Sequence, residues 1–178
     1  KIITYQSEIL ELDNANLYGY RQNESYFKDI REEVLQIYTF NKELVHRWRG
    51  NFEDMMGCPS LTDNENSVSV HIRRKDYMTK DNEKLYGGIC SMDYYRRAVK
   101  FFEDRFTDLK FYYFSDDKEW VKNVLIPDIA MNTRSFLRIV ESISDDVSMD
   151  MWLMSKCRHH IIANSTYSWW GSWIGKNT

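Results

Sequence analysis

The sequence predicts an α/β fold in which a parallel β-sheet carries helices on both of its faces. Strand-like segments alternate with segments of helical spacing four times in the later part of the chain, which is the pattern of successive βα units. Hydrophobic residues make up 43% of the chain and aromatic residues 15%, as in a globular protein rather than a disordered one. A length of 178 residues suffices for one domain with its own core.

The first part of the chain, residues 1–62, is predicted to be a helical lead-in. Apolar side chains recur at helical spacing over residues 23–57. Gly57 and Pro59 are expected to end the second of two helices there. We interpret both apolar stripes as core packing, and residues 63–178 as a separate domain that contains the sheet.

Each element of that domain has its own signal in the sequence. The predicted strands cover residues 68–73, 110–115, 136–140 and 159–164. Ser91 is placed to cap the helix after the first strand. Asp116 and Glu119 form a capping-box-like start for the helix after the second strand. The third and fourth helices are expected over residues 147–157 and 167–174.

The unusual polar residues of the sequence follow the predicted strands. These residues are Arg73, Arg74 and Asp76; Ser115, Asp116 and Asp117; and Asn164, Ser165, Thr166 and Ser168. Parallel strands end at one edge of the sheet, where ligands of such folds bind. Arginine offers permanently charged, bidentate donors for phosphate, and a helix N-terminus receives anions. The sequence therefore predicts a site for a ligand that bears a diphosphate.

Structural interpretations of these residues are also open. The arginine pair could form salt bridges, and the Asp116–Asp117 pair could serve as a helix cap. As a metal site the two acids are weak, because magnesium needs further ligands. Three tryptophans of the last helix are expected to anchor it in the core: Trp169, Trp170 and Trp173. His159 and His160 are neighbours on a strand, so they face opposite ways and cannot share a metal.

Composition and motifs exclude several classes of protein. The net charge of −3, from 24 basic and 27 acidic residues, argues against a nucleic-acid partner. The three widely spaced cysteines indicate reduced thiols in a cytosolic compartment rather than disulfides or a zinc site. No apolar run is long enough to predict a transmembrane segment. Neither GxxxxGK[ST] nor GxGxxG occurs, so known phosphate fingerprints do not explain the predicted site.

Four segments, in order along the chain, resemble the bacterial α-1,2-fucosyltransferases of glycosyltransferase family 11. They read GYRQNESYFKDI, HIRRKDY, YFSDDKEW and DMWLMSKCRHHIIANSTYSWWGSW, and the resemblance extends from about Leu17. It implies an inverting enzyme that moves L-fucose from GDP-fucose to the 2-hydroxyl of a terminal galactose, with neither metal nor cofactor. It also implies a GT-B enzyme whose carboxyl-terminal, Rossmann-like half, here residues 63–178, holds the GDP-sugar.

The resemblance also implies roles for individual residues. Arg73 would bind the diphosphate, with His71 and Arg74 shaping the site. The remaining donor-binding residues would be Asp116, Asp150, Asn164, Ser165 and Ser168, with Asp150 on the guanine and the serines beside the phosphates. The general base stays open among Asp76, Asp81 and Asp116. Asp76 either takes the acceptor proton or orients the arginines as a salt-bridge partner.

The family's amino-terminal glycine-rich motif, about GGLGNQ, does not occur in this sequence. We therefore expect the chain to be the donor half of a longer protein, able to bind GDP-fucose but not to transfer fucose to a galactose-terminated glycan alone. Two other hypotheses for the function remain: a non-catalytic nucleotide-sugar binding module, and an unrelated nucleotide-binding enzyme such as a kinase. The family expectation for location is the cytoplasm, peripheral to the inner face of a bacterial membrane, in surface polysaccharide assembly.

Overall fold

A computed structural model describes residues 5–14, 16, 23–50, 66–86, 90–141 and 147–175. The chain divides into two compact units, Lys1–Thr39 and Phe40–Thr178. The sequence had suggested a division after residue 62. No helix in the described ranges is long and apolar enough to cross a membrane.

The first unit is built from short helical pieces. They are the 3₁₀ turns Ser7–Glu11, Glu24–Tyr26 and Lys28–Ile30 and the helix α1, Arg31–Ile37. Polar side chains bind the backbone at both ends of the stretch from residue 23 to residue 39. Asn23 Oδ1 accepts the N–H of Ser25 at 3.0 Å, and the Thr39 hydroxyl donates to the carbonyl of Gln36 at 2.8 Å. Such local side-chain bonds to the backbone are typical of the ends of helices and turns.

The second unit contains the four predicted βα units in the predicted order. Its elements are α2 (Lys42–Gly50), β1 (Ser67–Ile72), α3 (Lys80–Tyr86), α4 (Met92–Glu103), β2 (Lys110–Ser115), α5 (Lys118–Trp120, a π turn Val121–Leu125, and Ile126–Ala130), β3 (Phe136–Ile139), α6 (Val147–Met154), β4 (His159–Ile161) and α7 (Thr166–Ile174). Element ends agree with the sequence prediction to within a few residues. The predicted helix end at Gly57 and Pro59 lies outside the described residues.

All strand pairs of the sheet are parallel, and the strand order is β3-β2-β1-β4. The chain thus moves outward from β1 to β3 and then crosses back to the other side of β1. The strand order reverses between β1 and β4, and in doubly wound sheets ligands bind at such a switch point. The α/β fold with a parallel sheet is confirmed.

Helices cover both faces of the sheet, as predicted. On one face Val68, Val70 and Ile72 of β1 pack with residues of α4 and α5 in one buried cluster. On the other face Tyr112 and Phe114 of β2 pack with residues of α2 and α6. Helix α2 belongs to the second unit because Trp48 is 4% exposed, with its ring centroid 5.7 Å from that of Trp152.

The capping predictions are confirmed for one helix and wrong for another. Ser91 caps α4 and accepts the N–H of Tyr94 at 3.3 Å. Helix α5 is capped by Asp117, which accepts the N–H of Trp120 at 3.1 Å, and not by Asp116. The carboxylate of Asp116 is instead turned toward the loop that follows β1.

Candidate functional site

The register of the sheet brings the polar residues after β1 and β2 together. Ile72 at the end of β1 lies opposite Ser115 at the end of β2. The next residues, Arg73 and Asp116, therefore leave the sheet side by side although they are distant in sequence. On the other side of β1, Val70 pairs with Ile161, which places Asn164 and the residues after it at the same edge.

Arg73 is held by two carboxylates. Its Nε lies 2.8 Å from Asp76 Oδ1, its Nη2 lies 3.1 Å from Asp76 Oδ2, and its Nη1 lies 3.3 Å from Asp116 Oδ2. A guanidinium carries five N–H groups. The three contacts leave one N–H on Nη1 and one on Nη2 without an acceptor among the described residues. Because the side chain is 38% exposed, these two N–H groups, the Arg73 fork, are candidate donors to a ligand.

The charge of Arg73 is secured by the same partners. Burial opposes the charge, but the hydrogen bonds of Asp76 and the negative charge of Asp116 together raise the pKa of the guanidinium above its ordinary value. Arg73 is thus a permanent cation whose position is fixed before any ligand arrives.

Arg74 is anchored to α5 and not to the open edge. Its guanidinium carbon lies 3.9 Å from the centre of the Trp120 ring, and its Nε lies 3.1 Å from Asp117 Oδ2. The backbone N–H of Asp117 donates in turn to the hydroxyl of Ser115 at 2.9 Å. Sequence reasoning missed these roles of Asp117 and Trp120, since only the adjacency of β1 and β2 places them beside Arg74.

Tyrosine hydroxyls tie the loop after β1 and the start of α4 to the residues after β4. The hydroxyl of Tyr77 donates to the carbonyl of Asn164 at 2.5 Å, and that of Tyr94 donates to the carbonyl of Ile162 at 2.7 Å. Burial raises the pKa of Tyr94, so its hydroxyl stays protonated as a donor. These bonds satisfy carbonyls that lie beyond the strand pairing, and sequence reasoning missed them.

His71 is buried on β1, next to the loop of residues 73–79, which we call the arginine loop. Its backbone carbonyl accepts the hydroxyl of Tyr95 at 3.2 Å, and its ring centroid lies 5.4 Å from that of Tyr167. Burial, and then the charge of Arg73, lowers the pKa of His71 to about 4. The imidazole is therefore neutral at neutral pH, and its Nδ1 has no hydrogen-bond partner in the described part of the chain.

The start of α7 contributes backbone donors to this edge. Ser165 is the N-cap residue, but its side chain makes no cap bond. The side chain of Ser165 therefore does not cap the N–H groups of the first turn, and helix N-termini attract anions. Ser168 was predicted to sit beside the phosphates, yet it is buried, and its hydroxyl donates to the carbonyls of Ala163 and Ser165 at 3.3 and 3.1 Å.

The two remaining predicted acids are Asp150, on α6, and Asp81, on α3. Asp150 is half-buried in the first turn of α6. The carbonyl of Val147, where α6 begins, accepts the hydroxyl of Tyr167 from the first turn of α7. Asp81 is exposed in the first turn of α3, after the arginine loop. Within the described ranges, no three acidic, histidine or cysteine side chains cluster as metal ligands.

Comparisons with known proteins match this chain to a protein family. The profile described as "Glycosyl transferase family 11" matches residues 2–178. An alpha-1,2-colitosyltransferase of Escherichia coli is 37% identical over 157 residues, which are 88% of this chain and 50% of that protein. The O-antigen biosynthesis glycosyltransferase WbnK of Escherichia coli is 33% identical over 158 residues, 89% of this chain and 50% of that protein.

A mammalian relative is more distant. The galactoside 2-alpha-L-fucosyltransferase SEC1 of Bos taurus is 22% identical over 160 residues, which are 90% of this chain and 42% of that protein. The chain spans about half the length of the curated relatives it matches.

Proposed function

The chain belongs to glycosyl transferase family 11, and from that premise we propose that it supplies the donor site of an α-1,2-fucosyltransferase. The reaction moves L-fucose from GDP-fucose to the 2-hydroxyl of a terminal galactose, with inversion. A glycosyltransferase of this family needs a nucleotide-sugar donor and a glycan acceptor. The name of the distant relative from Bos taurus supports fucose as the transferred sugar and a galactoside as the acceptor.

The observation that carries this proposal is the fork of Arg73 at the switch point. Arg73 follows β1, and two of its N–H groups have no acceptor among the described residues. The start of α7, which the Ser165 side chain does not cap, follows β4 at the same edge of the sheet. Arginine forks match phosphate oxygens bidentately, and helix N-termini favour negative charge. A diphosphate placed between β1 and β4 meets both kinds of donor.

These donors also suit the chemistry of the leaving group. As GDP departs, negative charge grows on the phosphate next to the sugar, and positive charge grows on the sugar ring. Fixed donors that face the growing negative charge stabilise the transition state more than the ground state. Because Arg73 and the start of α7 supply this stabilisation themselves, the proposed reaction requires no metal ion.

The general base is proposed from the contacts of the acids. Both oxygens of Asp76 accept from Arg73, and both oxygens of Asp116 accept from the loop after β1. The carboxylate of Asp81 has no hydrogen bond or ion pair with another described residue, and it is exposed. We therefore assign the acceptor proton to Asp81, and we assign Asp76 to a salt bridge with Arg73.

A second candidate donor has specific support. The relative that shares 37% identity is named a colitosyltransferase, and it shares the 1,2 linkage in its name. Colitose is therefore a candidate for the transferred sugar in place of fucose. Both candidates place the same leaving diphosphate on Arg73.

The test is a transfer assay with lactose as acceptor and with GDP-fucose and GDP-colitose compared at equal concentration. The relatives are about twice as long as this chain, so the assay uses the protein joined to an upstream half as well as the chain alone. We expect an α-1,2-linked product only from the longer protein. The donor with the higher kcat/KM identifies the sugar, and no product from either donor would refute the proposed activity.

The Asp81→Asn variant tests the proposed base in the same assay. We expect kcat to fall by about 10²–10⁴-fold, because proton transfer by a positioned group contributes about that much. The affinity for GDP should stay unchanged. Asp104→Asn, which removes an exposed carboxylate from a pair with Lys100, is the matched control. Full kcat in Asp81→Asn would refute Asp81 as the base. Loss of kcat in Asp76→Asn with GDP affinity unchanged would then identify Asp76 as the base.

A further inference from the structure

The carboxylate of Asp116 binds three consecutive residues of the loop after β1. Its Oδ1 accepts the backbone N–H of Arg74 at 2.9 Å. Its Oδ2 accepts the backbone N–H of Lys75 at 3.2 Å and lies 3.3 Å from Nη1 of Arg73. The side chain is 17% exposed, so water competes little for these bonds.

These contacts leave Asp116 unsuited to bind a phosphate or to act as a base. Both of its oxygens already accept from N–H groups, and a carboxylate repels the oxygens of a phosphate. What it can do is fix the backbone of residues 74 and 75 and, with it, the direction in which Arg73 points.

Asp116 differs in this respect from Asp76, the other partner of Arg73. Asp76 lies three residues after Arg73 on the same loop and its side chain is 49% exposed, so the two can move together. Asp116 follows β2, a strand buried along almost its whole length. It therefore ties the loop to the rigid sheet, and Asp76 does not.

We propose that Asp116 is a positioning residue that holds Arg73 in the orientation in which its free fork meets the diphosphate. This inference rests on the proposed function, since it assumes that the fork receives a diphosphate. It predicts that loss of the Asp116 carboxylate weakens binding of the phosphates and leaves binding of the nucleoside intact.

The experiment is calorimetric titration of wild-type protein and of Asp116→Asn with GDP, guanosine and inorganic pyrophosphate. The amide of asparagine places an N–H donor against a backbone N–H group that needs an acceptor. We expect the affinities for GDP and pyrophosphate to fall by about 10- to 100-fold, as when the support of a binding group is removed. Guanosine affinity should change less than about twofold. Asp104→Asn is again the control and should behave as wild type.

A second measurement needs no ligand. Hydrogen exchange of the backbone amides of Arg74 and Lys75 should be faster in Asp116→Asn, with the rest of β1 and β2 still protected. An unchanged exchange rate at both amides would contradict the proposal even if ligand affinity changed.

The ligand titrations separate the failure of this inference from the failure of the proposed function. GDP affinity within twofold of wild type, or equal losses for GDP and guanosine, would show that Asp116 does not position Arg73. UDP is titrated into the wild type as well. Loss of pyrophosphate binding in the variant, without any preference of the wild type for GDP over UDP, would support the positioning role and refute the guanine donor. A wild type that bound neither GDP nor pyrophosphate would overturn both.

Discussion

At the scale of residues, the two arginines after β1 have different partners. Arg74 lies over Trp120 and pairs with Asp117, so it anchors the loop. Arg73 pairs with Asp76 and Asp116, and two of its N–H groups have no acceptor among the described residues. The sequence left two interpretations of such a pair, salt bridge or phosphate site. Both arginines form salt bridges, and the phosphate role of Arg73 stays a prediction.

Replacing Arg73 tests the phosphate role. We expect Arg73→Ala to weaken GDP binding by about 2 kcal/mol, because a charge-assisted contact with the diphosphate is lost. Arg73→Lys should recover only part of that affinity, since an ammonium cannot reproduce the fork. The measurement is calorimetric titration with GDP. Wild-type affinity in Arg73→Lys would show that Arg73 acts only through its positive charge and not through a bidentate contact.

His71 makes a pH dependence predictable. Its pKa is about 4 in the folded protein, against about 6.5 in an unfolded chain. The unfolded chain therefore binds the proton more readily than the folded protein. The contribution of His71 to the free energy of unfolding has its full value above about pH 6.5 and is lost as the pH drops toward 4. For this shift the loss is on the order of 3 kcal/mol.

Chemical denaturation between pH 7 and pH 4 checks this prediction in wild type and His71→Gln. The variant should lose less stability over that range, because glutamine takes up no proton. His160, whose pKa burial also lowers to about 4, contributes equally to both proteins and cancels in the difference. His46→Gln on the exposed side of α2 is the control. Parallel curves for wild type and His71→Gln would contradict the prediction.

At the scale of elements, the strands and helices could be predicted from the sequence because their signals are local. Alternating apolar residues and the cap at Ser91 lie within a few positions of what they specify. The strand order could not be predicted, since it depends on where the chain crosses after β3. The cap of α5 was assigned to the wrong acid for a related reason. Asp116 and Asp117 are equivalent locally, and the register with β1 alone draws Asp116 to the arginine loop.

Removal of the cap on α4 tests the element that follows the arginine loop. Ser91 accepts the N–H of Tyr94, so Ser91→Ala should lower the free energy of unfolding by about 0.5–2 kcal/mol. Ser91→Asp, which retains an acceptor at the cap, should recover most of that loss. Urea denaturation gives both values. Equal stability of Ser91→Ala and wild type would show that the cap contributes nothing.

At the scale of the whole molecule, the site is a consequence of topology. Strand β1 lies between β2 and β4, so its loop meets acids from one neighbour and a backbone carbonyl from the other. The predicted site residues after β1, β2 and β4 do lie at one edge of the sheet, and the tyrosine links that join them could not be read from the sequence. The acceptor is proposed to bind through a further half of the kind that the longer relatives contain.

We propose that this edge of the sheet binds a guanine nucleotide through its diphosphate, with no metal ion. The most direct test is calorimetric titration of the 178-residue chain with GDP, UDP and ADP, each with and without EDTA. We predict that GDP binds most tightly, that UDP and ADP bind much more weakly, and that EDTA changes no affinity. UDP or ADP binding as tightly as GDP, or GDP binding abolished by EDTA, would contradict the account.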